Sequence, residues 1–380
     1  MTPQTLNFSL ARIAIFLPSL NGGGAERVMV TLANAIAGRG YPVDLVLATA
    51  EGPYRNDVSS GVRVVDLQAG RVIKALLPLA HYLRRERPVA MLAAQTHANT
   101  VALLARILAR VATRVVVSER STISVEHSRA RGFAAHLNFA LVPMLYRNAD
   151  GICSVSRAAS ADLASFAGLR AASVQTIYNP FDLGRITSLA AEETDDPWLK
   201  PGQPPVLLAI GRLAEQKDFL TLIRAFVRLR SQRPLRLLIL GEGELRPMLE
   251  ALLAQSGLTA DDVRMPGFVS NPFTYLARCA VLVLSSRWEG LPGVLIEALA
   301  CGAPVVSTDC PSGPKEILED GRWGALVPVG DVNALAGAIA STLDTPRDRF
   351  PDVRQRARDF EQERAVDAYL EILGCQKPDS

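Results

Sequence analysis

A chain of 380 residues, 49% hydrophobic and 21% charged, has the balance of an ordinary globular protein, which excludes wholesale disorder and leaves room for two domains. No run approaches the roughly eighteen apolar residues of a membrane span, and no charged side chain precedes Arg12, so neither a transmembrane helix nor a signal peptide is expected. The net charge of +3 is uneven: Arg71 to Asn148 holds twelve Arg or Lys against three acids, which puts +9 on that stretch, −6 on the rest, and a basic face on the N-terminal half.

The first segment, Arg12 to Leu17, is apolar and strand-like, and it runs into a loop ending Gly22-Gly23-Gly24. A helix over Ala25–Arg39 follows, with Val28, Leu32, Ala35 and Ile36 on one face, and then a strand over Tyr41–Ala48. The alternation continues with strand Val62–Leu67, helix Val72–Arg85, strand Val89–Ala94, helix Asn99–Ala109 and strand Arg114–Ser118. Helix Ala134–Tyr146, strand Gly151–Val155, helix Arg157–Phe166 and strand Ser173–Ile177 complete this half. Strands alternating with helices imply right-handed βαβ units and a parallel sheet.

The pattern breaks near Asn179-Pro180, and the acidic, proline-ended stretch Ala190 to Pro205 reads as an interdomain linker. It restarts with strand Val206–Ile210, helix Leu220–Arg230, strand Arg236–Leu240, helix Glu244–Gln255, a short strand near Val263 and helix Asn271–Ala277. Strand Ala280–Leu284 then leads into a Gly/Pro loop. Pro292 and Gly293 open a helix that Gly302 closes, and strand Ala303–Ser307 follows. Asp331 caps a helix through Leu343, and Asp352 to Leu373 is helical and charged. The fold class is therefore α/β: two Rossmann-like domains with parallel sheets facing a cleft. Their boundaries are expected at 1–185 and 186–350, with 351–380 a helical tail packing back across the linker.

Five cysteines are scattered without metal-ligand spacing; three of them sit beside apolar runs and read as buried free thiols, and a reducing, cytoplasmic compartment is expected. No Asp-x-Asp motif or histidine cluster stands out, so neither a metal nor another cofactor is expected. Four constellations carry chemistry. Gly22, Gly23 and Gly24 sit between strand and helix, where backbone N–H groups and the helix dipole suit an anion, although a plain flexible turn fits the same residues. Arg212 and Lys217 lie in the corresponding loop of the second half and offer a planar fork and a point charge to phosphate oxygens, if they are not merely solvated. Glu289 and Glu297, with seven residues between them, are acceptors suited to sugar hydroxyls. Glu297 is ringed by apolar residues, so it is expected to be buried and partnered. His97 follows a strand and either donates to substrate or simply starts a helix.

These residues together resemble the retaining glycosyltransferases of family 4, with the two-domain GT-B fold. Gly23-Gly24-Ala25-Glu26-Arg27 looks like that family's N-terminal glycine loop. Gly211-Arg212 with Gln216-Lys217, the Glu289–Glu297 pair, and Cys301-Gly302-Ala303-Pro304-Val305-Val306 followed by Glu316 are similar to its C-terminal signatures. The resemblance implies that Arg212 and Lys217 bind a donor diphosphate, that Glu289 holds the donor sugar, and that Glu297 holds the ribose of the nucleotide. It further implies that the backbone of Gly290, Leu291, Pro292 and Gly293 grips sugar and phosphate, with Phe268-Val269 by the base. Arg120 stands where many members carry a histidine, and it could counter the leaving diphosphate or an acceptor phosphate.

The expected partners are a nucleotide-sugar donor, a UDP sugar above others, and a glycan or lipid-linked saccharide acceptor. No nucleic acid is expected. Arg84, Arg85, Arg106, Arg110, Arg114, Arg129 and Arg131, with apolar Phe133, Leu137, Phe139, Leu141 and Leu145, suggest docking on an anionic membrane surface at the inner leaflet. The alternatives are a sugar-nucleotide epimerase and a catalytically silent sugar-nucleotide-binding subunit.

Overall fold

The computed structural model describes residues 12–21 and 23–375. By contacts the chain divides into two units: residues up to Pro180 together with those from Gln362 onward, and Phe181–Glu361.

The first unit is built on a seven-stranded parallel sheet. Its strands are β1 Ile13–Leu17, β2 Val43–Leu47, β3 Val62–Asp66, β4 Ala90–Ala94, β5 Arg114–Glu119, β6 Gly151–Ser154 and β7 Gln175–Thr176, in the order β3-β2-β1-β4-β5-β6-β7. Every residue of β1, β2 and β4 is buried. Continuous apolar runs without alternation are what strands covered on both faces require. One face packs against helices Gly24–Gly38 and Gln362–Ile372. The other packs against Leu76–Glu86, Thr96–Ala109, Phe133–Leu145 and Arg157–Ala167.

The second unit repeats the scheme with β8 Val206–Ile210, β9 Arg236–Leu240, β10 Val263–Gly267, β11 Val281–Leu284, β12 Val305–Thr308 and β13 Ala325–Val327, in the order β10-β9-β8-β11-β12-β13. In each sheet the order reverses once, between β1 and β4 and between β8 and β11. Loops leaving the carboxyl ends of those neighbouring strands therefore diverge to opposite sides and leave a crevice, the usual ligand position in open α/β sheets.

Three elements differ from expectation. Residues 190–205 are not a linker but part of the second unit, because Trp198 is 3% exposed and is covered by the guanidinium groups of Arg264 and Arg236, 4.0 and 4.8 Å from its ring. Helix Leu183–Ala191, capped by Asp182 accepting from the Arg185 N–H at 2.8 Å, precedes it. The C-terminal stretch is divided: residues 351–361 stay with the second unit, whereas helix Gln362–Ile372 completes the core of the first. Strand β13 escaped sequence reading because three residues carry too little periodicity to register. No helix among the described residues is long and apolar enough to cross a membrane.

Candidate active site

In the second unit, the loops after β8 and β11 meet at the switch point. The turn Glu215–Lys217 is fastened to the end of β11 by long-range bonds. Ser285 Oγ donates to the Lys217 carbonyl at 2.7 Å, the Arg287 N–H to the Gln216 carbonyl at 2.8 Å, and Gln216 Nε2 to the Trp288 carbonyl at 3.0 Å. These bonds set Lys217 Nζ 2.5 Å from Glu289 Oε1. Glu289 is 6% exposed, and its carboxylate also accepts from Ser286 Oγ at 2.7 Å and Gln216 Nε2 at 3.4 Å. An ionised carboxylate withdrawn from water needs such donors. The sequence placed Lys217 with a phosphate and Glu289 with a sugar, and the structure pairs the two directly.

Gly211 lies against the Lys217 stem, so a Cβ there would stand 3.0 Å from Lys217 Cε. At Gly241 a Cβ would collide with the Gly211 carbonyl, which lets the β9 loop run along the β8 loop; the Leu213 N–H donates to the Glu242 carbonyl at 2.9 Å. Arg212 projects into solvent with no ion-pair partner among the described residues. Gly290, Leu291 and Pro292 are buried, and the Gly290 carbonyl accepts from Ser312 Oγ at 2.7 Å. Gly293 begins helix Gly293–Cys301, which runs to Gly302 at φ 76°. Glu297 on that helix is half-buried rather than fully enclosed, since its apolar neighbours take the core-facing positions. Phe268 is 75% exposed and Val269 half-buried, directly after β10.

In the first unit, the corresponding loops follow β1, β4 and β5. Gly22 lies outside the described residues. Gly23 and Gly24 are exposed at the N-terminus of helix Gly24–Gly38, and the Glu26 carboxylate folds back over Gly23 while accepting from Gln95 Nε2 at 2.9 Å. The partial positive charge of that helix end is thus met by the chain's own Glu26. His97 is the second residue of helix Thr96–Ala109 and keeps an exposed surface. Even so, burial of its ring outweighs the pull of Glu26 and holds its pKa below the ordinary imidazole value.

Arg120 does not stand free to meet a diphosphate. Its guanidinium donates to Tyr369 Oη at 3.0 Å, Asn179 Oδ1 at 2.5 Å and Ser118 Oγ at 3.4 Å, tying the C-terminal helix to the end of β5. Beside it lies a buried cluster that the sequence did not disclose. Glu119, 1% exposed, accepts from Thr96 Oγ1 at 2.9 Å, Asn99 Nδ2 at 3.1 Å and the Tyr146 hydroxyl. Burial pushes its pKa up to about 7 against those donors. Only a polar residue type ending an apolar strand could have pointed to it.

The basic face is narrower than expected. Arg106 pairs with Asp150, Arg84 donates to the carbonyls of Leu108 and Ala109, and Arg114 donates to those of Ile372 and Asp150. Phe139 and Leu145 belong to the core and Leu141 is half-buried, whereas Phe133, Leu137 and Met144 are 83%, 47% and 58% exposed.

Comparison with known proteins agrees with this architecture. Residues 22–185 match the family model described as Glycosyltransferase Family 4, and residues 204–345 match that described as Glycosyl transferases group 1. A Campylobacter jejuni protein is 31% identical over 96% of this chain and 100% of its own length; it is named N-acetylgalactosamine-N,N'-diacetylbacillosaminyl-diphospho-undecaprenol 4-alpha-N-acetylgalactosaminyltransferase. The lipopolysaccharide core biosynthesis glycosyltransferase LpsE of Rhizobium meliloti is 29% identical over 93% of this chain and 96% of its own. The crystal structure of Anabaena Alr3699/HepE in complex with UDP and glucose superposes with a TM-score of 0.80 at 21% identity, covering 96% of this chain and 100% of that one. With two parallel-sheet units of this order and full-length similarity to such enzymes, the chain belongs to the family 4 glycosyltransferases of the GT-B fold.

Proposed function

We propose that the protein is a retaining glycosyltransferase that moves a hexose or N-acetylhexosamine from a UDP sugar to a lipid-linked saccharide. The observation that carries this reading is the Lys217–Glu289 pair, 2.5 Å apart and held at the switch point of the second sheet. Breaking a glycosyl–phosphate bond puts positive charge on the sugar and negative charge on the leaving diphosphate. A lysine and a carboxylate fixed side by side serve those two charges at once, and preorganised charges of this kind supply the largest catalytic contribution. Exposed Arg212 adds a second cation for the diphosphate, and the N-terminus of helix Gly293–Cys301 offers backbone donors. Glu297 takes the ribose hydroxyls and Phe268-Val269 border the base. These charges act on the diphosphate without a metal ion. Gly23, Gly24 and His97 belong to the acceptor side. The leaving phosphate takes the acceptor proton on the face it departs from, which keeps the anomeric configuration.

The UDP in the HepE complex and the undecaprenyl diphosphate in the Campylobacter relative's name favour this donor and acceptor class. The exposed apolar stripe of helix Phe133–Leu145, with Arg129 and Arg131 before it and Arg147 after it, suits an anionic membrane surface where such an acceptor resides. Incubation with a panel of UDP sugars and a polyprenyl-diphosphate saccharide is expected to transfer one sugar with an α linkage, read by mass spectrometry and the anomeric NMR coupling. Epimerised donor, or every donor left intact, would overturn the reading, and a β linkage would remove retention.

A further inference from the structure

Two consecutive serines leave β11, and their side chains point to opposite sides, as successive residues of an extended chain do. Each reaches one half of the Lys217–Glu289 pair. Ser285 Oγ holds the Lys217 main chain at 2.7 Å, and Ser286 Oγ donates to Glu289 Oε1 at 2.7 Å, the same oxygen that Lys217 Nζ approaches. Both serines are buried, at 1% and 0% exposure. The main chain of Ser286 is fixed in turn from β12, because Thr308 Oγ1 donates to its carbonyl at 2.6 Å.

We propose that Ser286 is a positioning residue for sugar transfer, acting through Glu289 and so through Lys217. The proposal rests on the reading of those two residues as donor contacts. The terminal torsion of a glutamate is broad, so the carboxylate plane is set by what it bonds rather than by its own rotamer preference. Lys217, on a flexible four-carbon stem, cannot set that plane alone. The Ser286 hydroxyl comes from a strand end pinned by β12 and is the rigid member of the set. Without it, Glu289 Oε1 loses its donor from the pinned strand end, and Lys217, which approaches the same oxygen, loses its fixed partner, at a site where little water enters to replace the bond.

Ser286→Ala is expected to lower kcat/KM for the donor by about 10- to 100-fold, the factor that one charge-assisted hydrogen bond carries. Ser286→Cys keeps the size of the side chain but donates only weakly, and it is expected to lose a similar factor. In a Glu289→Gln background the further loss from Ser286→Ala should shrink below about 3-fold, because residues acting through one another are not additive. Single-turnover rates with enzyme in excess keep the weakest variant measurable, and circular dichroism checks that each folds. Activity of Ser286→Ala and Ser286→Cys within about 3-fold of the parent, or a full additive loss in the Glu289→Gln background, overturns the proposal. An unchanged rate for Glu289→Gln itself is a different result, since it removes the donor-contact reading and this proposal with it.

Discussion

Glu119 is a side chain whose chemistry is decided by what surrounds it. Its carboxyl is buried with three neutral donors and no cation among the bonds described, and its pKa rises to about 7. An acid that binds its proton more tightly when folded contributes stability below its unfolded pKa and loses that contribution as pH rises through the folded one. Stability should therefore fall between about pH 4.5 and about pH 7, by about 3 kcal/mol from this group. Glu119→Gln should lack that slope; urea unfolding at several pH values checks it, and an equal slope in the variant would remove the assignment. At this scale the sequence was informative about residue type. Lys217 and Glu289 were recognisable as charged groups in strand-end loops, but their pairing was not, because 72 residues separate them. Likewise nothing local to Arg120 says that it turns inward to Tyr369, 249 residues away.

Helix Phe133–Leu145 shows what periodicity can and cannot establish about an element. Its existence was legible from its apolar content, and the expected span Ala134–Tyr146 lies one residue from the observed one. Which apolar residues face the core was not, because nearly every position is apolar and no polar face marks the outside. Packing chooses Phe139, Val142 and Leu145 for the core and leaves Phe133, Leu137 and Met144 outside, at spacings that put them on one stripe. Burying one such side chain in a lipid interface is worth about 2 kcal/mol. The protein should therefore float with vesicles of phosphatidylcholine and phosphatidylglycerol at low salt. Phe133→Ser with Leu137→Ser should weaken that binding at least about 10-fold while leaving transfer to a water-soluble acceptor intact. Equal flotation of the variant would exclude this stripe as the docking element.

On the scale of the whole molecule, the chain passes between units at Pro180–Phe181 and returns at Glu361–Gln362. The returning helix buries Val366, Tyr369 and Leu370 in the first unit's core, and Leu373 follows directly after it, all at 4% exposure or less. At about 1.5–3 kcal/mol for each such side chain, their loss approaches the 5–15 kcal/mol that holds a typical domain folded. A chain ending at Glu361 should consequently lose the cooperative unfolding of its first unit and keep that of the second, seen by calorimetry as one transition missing. Two unshifted transitions would show that the helix is dispensable.

The sequence by itself determined the α/β class, because short apolar runs without alternation can be satisfied only in sheets covered on both faces, and the helices between them demand parallel strands. It also determined the family, through glycine, arginine, lysine and glutamate types at loop positions whose order alone is specific. Tertiary structure decided the rest. It brought the β8 and β11 loops to one crevice through a strand order that sequence does not encode locally. It folded Glu26 over Gly23, gave Arg120 to the C-terminal helix, and set Ser286 under Glu289. The bonds Gln95–Glu26, Arg120–Tyr369 and Lys217–Glu289 join distant segments, and Ser286, though only three residues from Glu289, is held from β12 by Thr308. Such partners are chosen by how buried strands align rather than by the residues next to them in the chain.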